Sequence, residues 1–282
     1  MSESIEVMEH TPGLDASRHT ASTRPRETMF LGVSVLVFVT SAAVTIGWCA
    51  SMSAMGEMPM PGGWTMSMAW MRSPGRTWVG AAASFLAMWI VMMVAMMLPS
   101  LFPMLRRYRQ AVGGAGERRL GRLTALVGAG YFLVWTLMGI TTFPLGVALA
   151  AIEMRQAALA RAVPILTGAV VLIAGLVQLT PWKARHLACC REARGPGREL
   201  ASRAGTALVH GLRLGLHCTY CCAGLMAILL VIGVMDLRAM AVVTTAITVE
   251  RLAPGGERVA KAAGTIVVGA GLLLIAHATG LG

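Results

Sequence analysis

Long, nearly uncharged apolar stretches recur along the whole chain, at 30–50, 78–105, 123–152, 162–182, 206–235, 237–252 and 259–280. Most approach or exceed the roughly 20 residues a helix needs to cross a hydrocarbon layer about 30 Å thick. Inside such a layer every backbone N–H and C=O must find its partner within the chain, which leaves helices as the expected form. The reading is therefore an all-α, polytopic transmembrane helix bundle of about seven spans over residues 29–282. The stretch 237–252 is the shortest of them. A soluble fold is excluded by composition: 13% of residues are charged and 56% hydrophobic, whereas soluble domains carry about 25% charged residues. Residues 1–28 are polar and without apolar periodicity, which predicts a disordered tail.

The net charge of +11 could suggest a nucleic-acid partner, but such binders need a basic face on a soluble domain. Here the cations lie in the short connections. With the N-terminus inside, the inner segments hold 18 Lys or Arg, the outer connections hold 5, and Arg213 falls within the fifth span. The positive-inside rule then predicts N-in and C-out, with a bilayer rather than nucleic acid as partner and a bacterial cytoplasmic (inner) membrane as location. Glu250 and Arg251 read as an interfacial ion pair, and Asp236 as the end of the fifth span.

Sulfur is distributed unusually. The expected outer loop, 51–77, carries Met52, Met55, Met58, Met60, Met66, Met68 and Met71 among Gly, Ser and Pro. Thioethers are soft ligands that suit Cu(I), and Met-x-x-Met or Met-x-Met spacing lets a pliable loop close on one ion. Adaptable apolar filler at a membrane surface is the plainer explanation, but Leu would serve that purpose and is absent from the loop. In the second span Met88, Met92 and Met96 share a helical face, with Met93 and Met97 forming an adjacent stripe. Taken alone, that stripe is as well explained by packing. Pro99 should kink this helix and free a carbonyl.

The fifth span contains HCTYCCAGLM at 217–226. On a helix Cys218 and Cys222 share a face, as do Cys218 with Cys221 and His217 with Cys221. Polar and ionisable groups at membrane depth are expensive, so His210, Arg213 and His217 are expected to face the bundle interior. Gly211 and Gly215 read as a close-packing pair. On the inner side, His186 and Cys190 stand four apart if that stretch is helical, and Cys189 adjoins them. The cations Lys183, Arg185 and Arg191 beside them suit a metal-binding thiolate or a redox thiol equally.

No phosphate-cradling loop, HExxH or nucleophile elbow is present, and no catalytic residue is expected. The sulfur points to a membrane protein that binds Cu(I) through Cys218, Cys221, Cys222, His217, Met92, Met93, Met96, Met97, His186, Cys190, Met52, Met55 and Met58. It would serve copper transport or delivery, with a metallochaperone, a membrane cuproenzyme or a second copy of the chain as partner. The competing class is a membrane thiol-disulfide oxidoreductase using Cys218 and Cys221. That chemistry normally needs a second cysteine pair able to meet the first, yet Cys189 and Cys190 are vicinal on the inner side and Cys49 stands alone outside. A non-catalytic subunit whose Met and Cys only pack is the remaining reading.

Several segments together resemble domain-of-unknown-function family 2182, predicted metal-binding integral membrane proteins. They are MWIVMMVAMMLP at 88–99, GYFLVW at 130–135, QLTPWK at 178–183 followed by Cys190 and Arg191, HCTYCCAGLM at 217–226, GVMDL at 233–237, and Glu250. The resemblance covers roughly 85–255 and implies a membrane-embedded metal site that includes Met92, Met93, Met96, Met97, Cys190, Cys218, Cys221 and Cys222. His186 stands where the family pattern has Cys, Tyr220 where it has Gly, and Ala223 where it has Trp.

Overall fold

A computed structural model of the chain describes residues 13–54, 56, 58–72, 75, 77–112, 116–192 and 203–280. Among them are eight α-helices: α1 (Gly13–Ala54), α2 (Trp78–Ala111), α3 (Glu117–Arg155), α4 (Ala157–Gln178), α5 (Pro181–Glu192), α6 (Ala204–Ile232), α7 (Leu237–Leu252) and α8 (Gly256–Ala278). The all-α bundle is as expected. Six helices, the 27–54 part of α1 with α2, α3, α4, α6 and α8, are long and apolar enough to cross a membrane, which fits an integral membrane protein. At 1.5 Å per residue the 16 residues of α7 reach only about 24 Å, so the shortest expected span falls outside that set. The backbone of α1 is helical from Gly13, within the stretch read as a tail.

Small residues set how closely the helices approach. A side chain on Gly211 would strike the Val127 carbonyl, and a Cβ on Gly215 would stand 2.9 Å from the Tyr131 carbonyl. These contacts advance together along both helices, so α3 and α6 run parallel with backbones touching. This is the packing that small-xxx-small pairs permit. Helices α4 and α8 make a second such seam in the antiparallel sense, with Gly168 against Gly271 and Gly175 against Val268.

Between α1 and α2 the chain folds into a hairpin of β1 (Met58–Met60) and β2 (Trp64–Met66), pairing Met58 with Met66 and Met60 with Trp64. The turn uses Gly62 and Gly63 at φ 108° and 76°, left-handed values that other residues rarely adopt. The Trp64 indole donates to the Ala160 carbonyl at 2.8 Å and ties the hairpin to the start of α4. A segment expected as a pliable loop is thus partly ordered. Periodicity could not reveal it, because three-residue strands carry almost none.

Helix α4 stops at Gln178 and α5 starts at Pro181, since Pro181 lacks the N–H that would continue the ladder. The break turns Lys183 inward, where it is buried. Arg251 is buried too. Both were counted among the inner-loop cations, and leaving them out preserves the charge asymmetry. On α6 the inward face is set by Gly211, Leu214, Gly215, Cys218 and Cys222, which leaves Arg213 and His217 on the exposed flank. They do not face the interior as expected. His210 is half-buried and stacks on Tyr108, with ring centroids 5.6 Å apart.

Candidate metal centre

Cys218, Cys221 and Cys222 on α6 are all buried, as are Met92, Met93, Met96 and Met97 on α2. The two stripes meet. Cys218 Sγ lies 3.8 Å from Cys222 Sγ and 4.0 Å from Met97 Sδ. With a metal–sulfur bond of about 2.3 Å, the length found for zinc thiolates, trigonal geometry separates its sulfurs by about 4 Å. Both spacings therefore suit one soft ion held by two thiolates and a thioether. The Tyr131 hydroxyl on α3 donates to Cys218 Sγ at 2.9 Å.

Two adjacent residues of α7 brace this cluster from opposite sides. Glu250 Oε2 is 2.8 Å from Lys183 Nζ, which in turn donates to the Cys221 carbonyl at 2.6 Å. Gln178 donates to Glu250 Oε1 at 2.7 Å. On the other side Arg251 donates to the Ser100 hydroxyl at 3.0 Å, and that hydroxyl donates to the Met97 carbonyl at 3.0 Å. Each sulfur-bearing helix is thus held at its backbone through one intermediary. The expected interfacial Glu250–Arg251 pair is replaced by two buried and separate partnerships: residues adjacent on a helix point about 100° apart, so they engage different neighbours. Asp236 caps the start of α7, accepting from Arg238 N and Ala239 N at 2.7 and 3.0 Å. It opens that helix rather than closing the one before.

The other sequence-derived candidates are dispersed. His217 is exposed on α6. His186, on α5, is half-buried between Trp182 and Tyr220, with ring centroids 4.5 and 5.5 Å away. Met52 is half-buried on α1 and Met58 half-buried in β1, while Met55 and the side chain of Cys190 lie outside the described residues. Among the described residues no three His, Cys, Asp or Glu side chains gather at metal-binding distance. The soft cluster depends on a methionine as its third donor. Tyr131, Ser100, Gln178, Lys183 and Arg251 were not anticipated as site residues, although three of them lie inside GYFLVW and QLTPWK. The available signal was polarity inside apolar spans, which marks function by default.

A family model described as the copper chaperone PpoB2 matches residues 86–274, about two thirds of the chain. No curated protein and no solved structure gives a match.

Proposed function

The chain belongs to the PpoB2 copper chaperone family, and from that premise we propose that it takes up Cu(I) on one face of a bacterial cytoplasmic membrane and delivers it to a membrane cuproenzyme. Cys218, Cys222 and Met97 hold the ion in mid-bundle. The observation that carries this is that Cys218 Sγ stands 3.8 Å from Cys222 Sγ and 4.0 Å from Met97 Sδ, with all three side chains buried.

The N-terminus lies inside in this reading, so the Met-rich hairpin faces outward and captures the ion. The buried Met stripe of α2 leads inward to Met97, and His186 with Cys190 receives the ion at the inner face. Transfer is ligand exchange between soft donors, without change of oxidation state. Lys183, Glu250 and Arg251 are positioning residues: they fix the backbone beneath the sulfurs.

Metal analysis of the detergent-purified protein beside its Cys218→Ser/Cys222→Ser variant tests the assignment. The variant is expected to hold one equivalent of copper less than the wild type. Copper unchanged in the variant would overturn the site. A redox-active disulfide without copper would point to the thiol oxidoreductase instead.

A further inference from the structure

Cys49 was the sulfur that the sequence left alone. In the folded chain it is buried at 2% exposure on the last turns of α1. Its Sγ lies 3.9 Å from the Sδ of Met235, in the connection between α6 and α7. The two residues are 186 positions apart, so no local repeat places them together. Met52 follows Cys49 by one helical turn and is half-buried.

This pair is distinct from the mid-bundle cluster. Cys218 stands 14 residues before the end of α6 at Ile232, about 21 Å of helical rise at 1.5 Å per residue. Met235 lies beyond that end. The hairpin begins at Met58, just after α1 ends at Ala54. The pair therefore sits at the hairpin end of the bundle, between the outer methionines and the central thiols. Its separation is again that of two sulfurs sharing one trigonal ion. Cys49 also lies outside the residues that the family match covers.

We propose that Cys49 and Met235 form a second soft-metal site for Cu(I), a relay station between the hairpin and the central sulfur cluster. It binds the ion through one thiolate and one thioether, and Met52, one helical turn along α1, is the candidate third donor.

Titration of Cu(I) into detergent-purified full-length protein, followed by thiolate-to-copper charge-transfer absorbance, tests this. Wild type should bind one equivalent more than Cys49→Ser. Met235→Leu keeps the thiol and the side-chain volume, and should weaken that equivalent by at least about tenfold, the effect typical of a perturbed ligand shell. Thermal unfolding midpoints check that both variants fold. Equal stoichiometry in wild type and Cys49→Ser, with full affinity in Met235→Leu, would overturn the relay site. That failure is separable from failure of the central site. If Cys218→Ser/Cys222→Ser removes the only equivalent, the centre stands and the relay falls; if it removes none while Cys49→Ser removes one, the relay stands and the centre falls.

Discussion

Lys183 Nζ and Glu250 Oε2 lie 2.8 Å apart with side chains 2% and 1% exposed, an ion pair shut inside an apolar bundle. Removing one partner strands the other charge in a medium of low dielectric, which typically costs about 3–5 kcal/mol.

Glu250→Gln and Lys183→Met should therefore each destabilise the detergent-solubilised protein by roughly that amount, while the double variant loses less than the sum of the two. A thermal-unfolding double-mutant cycle measures the coupling. Strict additivity would mean that the pair is not the unit described.

The seam between α3 and α6 predicts a contrast between two glycines. Gly211→Ala pushes a Cβ into the Val127 carbonyl and should cost about 1–3 kcal/mol through overpacking. Gly269→Ala meets nothing within 4 Å in the interior of α8 and should stabilise by roughly 0.5–1 kcal/mol through helix propensity. Unfolding midpoints should move in opposite directions.

Met97→Leu conserves volume, so its stability cost should stay below about 1.5 kcal/mol. Its Cu(I) affinity should nevertheless fall by about tenfold or more, because one soft donor is gone. Met88→Leu, also on the buried face of α2, should leave affinity unchanged. Competition against a chromophoric Cu(I) chelator distinguishes the two variants.

Trp64→Phe removes the indole donor to the Ala160 carbonyl and keeps an aromatic ring. A hydrogen bond of this kind contributes about 1 kcal/mol, so amide exchange across residues 58–66 should quicken by roughly fivefold while the bundle core stays unaffected. Hydrogen-exchange mass spectrometry on the hairpin peptides reads this directly.

Much of the architecture was legible because apolar runs of membrane length have few other uses. Within-helix pairs were legible for the same reason: the adjacency of Cys218 and Cys222 follows from helical spacing alone. What escaped was everything between segments. Cys218 meets Met97 from 121 residues away and Cys49 meets Met235 from 186, and a single sequence carries no trace of such pairs. Facing was equally opaque. Helix α6 is apolar almost all round, so nothing in its pattern told that Arg213 and His217 turn outward while Cys218 turns inward. Lys183 looked like an inner-loop cation because Pro181 hid the fact that the chain bends back into the bundle before leaving it.

The two sides of the central cluster differ in compliance. Cys218 and Cys222 ride on a helix whose backbone already touches that of α3, so they have almost no travel. Met97 rides on α2, where Pro99 and Pro103 interrupt the hydrogen-bond ladder directly beyond it. The cluster thus sets closely packed thiols against a thioether on a proline-interrupted helix. In the proposed Cu(I) site any adjustment therefore falls to the thioether, on the helix that the Arg251–Ser100 contact restrains.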